Sequence, residues 1–249
     1  MRIELLYPDI AGIFGDAMNV EYLRRATGAE VIRTPHKRAP AFASGDGDGD
    51  AAVDLVYLGA MTESSQALAI TALLPYKDAL RARIASGAAI LLTGNAPELL
   101  CDVIEDEDGG VLPGLGILPA RVKRMRPARY NALYHGLYTS PGTAESTHIV
   151  GFNSRFSHTY GADNAAPLFE TLRGAGRNPG TTLEGFRVNN LMATYLLGPL
   201  LILNPPFTRL LLKALGAPAE TLPYEAAAMD AYNARLAEFT DPKRGFTYG

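Results

Sequence analysis

Through the first hundred residues, short and mostly apolar runs alternate with longer stretches whose apolar residues recur every three or four positions. The first kind, Ile3 to Tyr7, Glu30 to Arg33, Val53 to Leu58 and Ala88 to Thr93, predicts strands buried on both faces. The second kind, Asn19 to Thr27 and a long Ser65 to Ser86, predicts helices. Strand and helix in alternation build a parallel sheet covered on both sides, so the expected class is α/β. After Asn95 a short helix from Pro97 to Ile104 is expected, ended by the acidic Glu105 to Gly110 turn. Beyond it the texture changes. Ala120 to Arg124, Asn131 to Ser140 and His148 to Phe156 alternate apolar and polar residues between Pro and Gly breaks, which predicts antiparallel hairpins and a mixed sheet. Thr182 to Val188 and Asn190 to Leu196 read as two more strands, and Phe207 to Leu215 and Tyr224 to Phe239 as closing helices.

The 249 residues carry 47% hydrophobic side chains, enough for a full-sized core, and one domain over 1–249 with a tail from 239 is expected. Charge is nearly balanced at a formal −3, so no basic field exists to hold nucleic acid. The longest apolar runs, such as Tyr195 to Leu203, are half the roughly 20 residues of a spanning helix, and the opening Met1 to Tyr7 reads as a strand instead of a leader. A cytoplasmic protein without a membrane span is therefore expected. A lone cysteine, Cys101, makes neither an internal disulfide nor a thiolate zinc site, and no metal or other cofactor is expected. The Gly/Asp run from Ser44 to Asp50 lacks the spaced ligands and closing Glu of a calcium loop, and reads as a surface loop.

In open α/β sheets ligands bind beyond the carboxyl ends of the strands. The sharpest such junction is Ile90 to Leu100, where a buried strand runs into Gly94-Asn95 and then Pro97, the strand–turn–helix arrangement of a nucleophile elbow. Five ordered blocks then carry a family resemblance: Leu6-Tyr7-Pro8-Asp9 with Gly15-Asp16 and Asn19; Ala88 to Leu100; Gly114 to Leu118; Ile149 to Phe152 with Thr159-Tyr160; and Thr194 to Leu201. In these the chain resembles the class I glutamine amidotransferases of the cobyric-acid-synthase (CobB/CobQ) type, most closely the small glutaminase subunits of lipid II isoglutaminyl synthase.

The resemblance implies a three-layer, flavodoxin-like α/β fold with a mixed, largely parallel sheet. It also implies a place beside an ATP-using Mur ligase subunit of the MurT kind in peptidoglycan precursor amidation. The family's elbow cysteine attacks the glutamine amide with a histidine as base, and here the matching positions are Gly94 and Leu197. Where the family has a glycine-rich oxyanion loop, this chain has Gly59-Ala60-Met61-Thr62-Glu63. Neither a hydrogen nor an isobutyl group can attack a carbonyl or take a proton, so thioester chemistry is not expected. Glycine at an elbow accepts positive φ without a Cβ clash, which lets the turn outlive the chemistry.

Gly59, Asn95, Ala96 and Arg129 are the ligand-binding candidates carried over. Cys101, two helical turns past the elbow, reads as a small core residue. His36, His135, His148 and His158 read as ordinary surface or hydrogen-bonded histidines. The cluster Arg121, Lys123, Arg124, Arg126 and Arg129 is either a solvated strand face or a patch for an anionic partner. Three readings follow: a catalytically silent amidotransferase-like subunit, an active glutaminase using other residues, or a module that binds glutamine or a small anion at the free amides of Gly94 to Ala96.

Overall fold

The computed structural model describes residues 1–44, 52–162 and 164–248. The Gly/Asp run, from 45 onward, lies outside them. A six-stranded sheet forms the centre, with strands β1 (Arg2–Leu6), β2 (Glu30–Thr34), β3 (Leu55–Leu58), β4 (Ala89–Leu92) and, from later in the chain, β13 (Phe186–Val188) and β14 (Leu191–Ala193), ordered β13-β14-β4-β3-β1-β2. All neighbours are parallel except the β13–β14 hairpin, so the sheet is mixed and largely parallel.

The pleat explains why these strands have no polar face. Ile3, Leu5, Leu55, Tyr57 and Leu91 point to one side, where they pack with α1 (Ala17–Thr27) through Val20 and Leu23 and with α5 (Pro205–Ala214) through Phe207 and Leu211. Leu6, Val56, Leu58, Ile90 and Leu92 point to the other, against Ala69, Ile70 and Leu73 of α2 (Glu63–Leu73) and Leu80 and Ile84 of α3 (Lys77–Ala85). Three layers with helices on both faces result. Thr62 caps α2 by accepting from the Ser65 amide at 3.2 Å, and Gly28 closes α1 with a left-handed φ of 69°. The single long helix expected from Ser65 to Ser86 is broken into α2 and α3, because Pro75 sits in a 3₁₀ turn between them.

The second half is mostly antiparallel, as its alternation predicts. β8 (Tyr130–Thr139) and β9 (Ser146–Arg155) form a ten-residue hairpin, flanked by β11 (Phe169–Arg173) and β12 (Leu183–Glu184). β5 (Val103–Glu105), β6 (Val111–Pro113), β7 (Ala120–Arg124) and β10 (Ser157–Gly161) form a separate sheet ordered β10-β7-β5-β6, in which β5 and β7 are the one parallel pair. The helix expected over Pro97 to Ile104 is instead a five-residue 3₁₀ turn, Ala96–Leu100, followed by β5. Leu99 and Leu100 of the turn and Ile104 of β5 enter the same core as α2 and α3.

A four-residue α4 (Leu200–Leu203) leads into α5. The chain ends with α6 (Glu225–Thr240), whose Tyr232 and Phe239 pack on Val150 of β9, and with β15 (Thr247–Tyr248) paired to β8. Arg173 fastens this end: it donates to the carbonyls of Phe239, Asp241 and Arg244 at 2.8, 2.7 and 2.6 Å and stacks 4.0 Å over Phe246. No helix among the described residues is long and apolar enough to cross a membrane.

Candidate functional site

The loops after β1, β3, β4 and β14 meet at the carboxyl edge of the sheet, and backbone hydrogen bonds fix their spacing. The Thr93 amide donates to Leu58 O at 3.1 Å, the Gly94 amide to Leu196 O at 3.2 Å, the Gly12 amide to Ala60 O at 2.7 Å and the Leu197 amide to Phe152 O at 3.0 Å. Beneath them a polar core holds the loops in register. Asp16 Oδ2 accepts from the Ala60 amide at 2.6 Å and the Thr93 hydroxyl at 2.8 Å, and the Tyr57 hydroxyl bridges Thr93, Asn19 and the Asp16 carbonyl. Burial pushes the Asp16 carboxyl up to about 6, against partial relief from these donors. Gly59 is part of this base: a Cβ there would lie 3.0 Å from Asp16 Cβ and 3.4 Å from Gly12 Cα.

Above the base lies a cavity of about 240 Å³, lined on its far side by Ser154 to Ser157, where β9 bends into β10. Gly94, Asn95, Leu197 and Arg129 all line it; Gly59 and Ala96 do not. Gly94 adopts φ +64°, and a Cβ built on it would collide with the Ala60 methyl, lie 3.0 Å from Ala60 Cα and 3.3 Å from Leu197 Cδ2. The space that a side chain at 94 would need is thus filled by residue 60, an obstacle that position-by-position reading does not show. The Asn95 side-chain amide is tied to Met61, accepting from its amide at 2.9 Å and donating to its carbonyl at 2.8 Å. The free amides expected from Gly94 to Ala96 are also reduced. The Gly94 amide is bonded to Leu196 O and the Ala96 amide to Thr93 O, and the helix is a single 3₁₀ turn with little dipole to offer.

Polar residues of the Ala96–Leu100 turn, of β7 and of the bend between β9 and β10 complete the wall. Glu98, 1% exposed, accepts from the Ser157 hydroxyl and from Gln66 Nε2 at 2.9 Å. Burial raises its carboxyl, and the neighbouring Arg124 and Arg155 temper the rise. Arg124 ties Gln66 Oε1 at 2.6 Å to Asp106 at 3.0 Å. Arg155 stacks 4.3 Å over the Tyr195 ring and donates through Nη2 to the Gly176 carbonyl. Arg129 lies 4.3 Å over Phe156 and donates to Ser154 Oγ at 3.2 Å. The bend from β9 into β10 brings Ser154, Arg155 and Ser157 to the cavity wall, a placement that depends on the fold.

The remaining candidates lie elsewhere. Cys101 is fully buried with its thiol pushed well up by burial, and its Sγ faces Pro97 O at 3.9 Å. His36 pairs with Asp9 at 2.6 Å, His135 with His148 at 2.9 Å, and His158 meets Tyr130 edge-on; none of the four lines the cavity. Three of the five residues of the basic cluster pair with the acidic turn. Arg121 pairs with Glu105 at 3.2 Å, Arg124 with Asp106 at 3.0 Å, and Arg126 with Asp106 and Glu107 at 3.2 Å each. Lys123 lies over the Tyr160 ring and Arg129 over Phe156, and Arg124 is buried on the cavity wall, so the five do not form one solvated strand face. No group of three or more His, Cys, Asp or Glu among the described residues is placed to hold a metal ion.

A largely parallel sheet whose loops converge on the turn after β4 is the architecture of the amidotransferases. Residues 2–204 match the CobB/CobQ-like glutamine amidotransferase domain, and the chain belongs to that family. Among individual proteins, it is 29% identical over 177 residues to GatD, the subunit of the glutamine-hydrolysing lipid II isoglutaminyl synthase of Staphylococcus aureus strain N315, covering 71% of this chain and 69% of that one. The fold is shared with a crystal structure of a glutamine amidotransferase, 18% identical over 86% of this chain and 99% of that one at a TM-score of 0.52. It is shared also with PurLQS from Thermotoga maritima, 11% identical over 94% of this chain and 98% of that one at a TM-score of 0.53.

Proposed function

We propose that this chain is a glutamine amidotransferase-like subunit that releases no ammonia itself and works bound to an ATP-using, Mur-ligase-like partner in the amidation of lipid II. The likeness to GatD supports the pathway and the kind of partner. The observation that carries the silence is the floor of the cavity: Gly94 with Ala60 packed against its α-carbon, and Leu197 beside it. Amide hydrolysis through an acyl-enzyme needs a nucleophile and a base in reach of each other, and this floor offers hydrogen, methyl and isobutyl. The test is glutamate release from glutamine by the purified chain, alone and co-expressed with its Mur-ligase-like neighbour. Stable co-purification with no glutamate formed is the expected result. Glutamate release by the chain alone refutes the silence, and failure to form any complex refutes the subunit role.

A second reading, an active glutaminase with other residues, has one observation in its favour: the Ser157 hydroxyl bonded to Glu98 inside the same cavity. In that case glutamate release occurs and is abolished by Ser157→Ala.

A further inference from the structure

Two histidine rings that share a hydrogen bond can hold one added proton but not two, since the bond needs one nitrogen without a hydrogen. His135 of β8 and His148 of β9 form such a pair. The Nε2 of the first lies 2.9 Å from the Nδ1 of the second, and the ring centroids are 5.0 Å apart. His135 stands opposite Val150 and Leu137 opposite His148, so the pleat puts both rings on the face that carries Leu133 and Val150. That face is the one α6 covers, with Tyr232 and Phe239 packed on Val150. His135 is left only 4% exposed.

Three links tie the pair to the end of the chain. The Tyr232 hydroxyl of α6 donates to the His148 carbonyl at 2.9 Å. Arg173 stands opposite His135 in the β11–β8 ladder, and the same guanidinium holds the carbonyls of Phe239, Asp241 and Arg244. The Leu133 amide, two residues before His135, donates to the Phe246 carbonyl at 2.8 Å.

The surroundings oppose a second proton. Burial, then His148, then Arg173 hold His135 below the usual histidine value. From α6 come Tyr232, whose phenol burial pushes up, and Arg235, which lines the apolar trough of about 380 Å³ together with Leu133 and Val150. The carboxylates of α6 are engaged or outside: Glu225 pairs with Arg209, Glu238 pairs with Arg244, and Asp230 is exposed. Glu170 of β11, opposite Leu137, is exposed as well. Of the four histidines, only His36 pairs with a carboxylate among the described residues.

We propose that the His135–His148 pair is an acid-sensitive latch on α6 and the chain end: a second proton breaks the bond between the rings, sets two cations beside Arg173, and is accommodated when α6 lifts and water reaches both rings. Lifting α6 opens the trough, because Arg235 and Phe239 form one of its walls. A histidine held below its ordinary 6.5 in the closed form favours opening only on the acid side of that value. The latch is therefore closed above about pH 6.5 and loosens as pH falls, by at most about tenfold in the opening equilibrium per pH unit for each proton taken up.

The experiment is hydrogen exchange of the whole chain between pH 7 and pH 5, corrected for the intrinsic exchange rate, beside an NMR titration of the histidine rings. Opening of 225–248 is expected to rise several-fold across this range while β4 keeps its protection, and His135 is expected to gain its proton only after His148. His135→Gln is expected to flatten the rise; His148→Gln, at a half-buried position, makes the same test where the first variant folds poorly. Tyr232→Phe removes a link and no titrating ring from the pair, so it is expected to raise opening by the same factor at every pH. Opening of 225–248 that does not change with pH, an equal change in β4, an undiminished rise in the glutamine variants, or two rings that take their protons together at the ordinary value overturns the proposal.

Discussion

Gly94→Ala adds a single methyl group at the most constrained point of the crevice. Two costs follow from the geometry. The residue sits at φ +64°, where an L side chain costs about 1–2 kcal/mol. The new Cβ also collides with the Ala60 methyl, and overpacking of a closed interior typically costs about 1–3 kcal/mol. Leu197 Cδ2, at 3.3 Å, is the end of a flexible side chain and yields; Ala60, 2% exposed and tied through its amide to Asp16, does not. The single variant is therefore expected to lose about 2–5 kcal/mol. Ala60→Gly alone loses about 1–2 kcal/mol, from a buried methyl and from backbone entropy. In the double variant the collision is gone and only the φ cost and the glycine cost remain. The two changes then combine to less than their sum by about 1–3 kcal/mol. Urea denaturation of the four proteins, followed by circular dichroism, measures this coupling. Strict additivity, or a Gly94→Ala variant as stable as the parent, refutes the steric account of the crevice floor.

Two further predictions concern buried charge and the chain end. Glu184 is fully buried, and burial outweighs its bonds from the Tyr195 amide and the Thr194 hydroxyl, so its carboxyl is pushed up from 4.5 to about 7. A folded value above the unfolded one stabilises the protein fully below about pH 4.5, and that contribution is lost as pH rises through about 7, roughly 3 kcal/mol in all. Glu184→Gln is expected to flatten the fall in urea midpoint between pH 5 and pH 8, and an unchanged slope counts against the buried carboxyl. Arg173→Ala removes three hydrogen bonds and a ring contact that hold 239–246, and is expected to release the chain end at a cost of about 1–3 kcal/mol in local opening. Hydrogen exchange checks it: protection lost from 241–248 and retained in β4 is the expected pattern, and uniform protection refutes it.

The central strands were legible because a buried parallel strand leaves an unbroken apolar run, and β1, β3 and β4 lie within a residue or two of their expected bounds. β7, over Ala120 to Arg124, coincides with its alternating pattern. The misread segment, Pro97 to Ile104, has apolar residues at both helical and strand spacing, and a 3₁₀ turn running into a strand uses the same residues in the same order. Elbow and loop positions were legible through motif order. What surrounds them was not, since the Ala60–Gly94 contact, the pairing of Arg126 with Asp106 and Glu107, and the convergence of Arg155 on Tyr195 join residues 19 to 40 positions apart. Such contacts depend on strand order and register, which local pattern does not encode.

The packing of Ala60 on Gly94 also orders the mutational paths open to this chain. Any side chain at 94, reactive or not, meets the methyl at 60 if it arrives first. A lineage that acquired a side chain there would have to pass through glycine at 60 beforehand, a step that lowers stability and brings no new chemistry with it. Selection acting on one substitution at a time meets a valley between the two states, and one methyl group turns a substitution that looks reversible in the sequence into a ratchet.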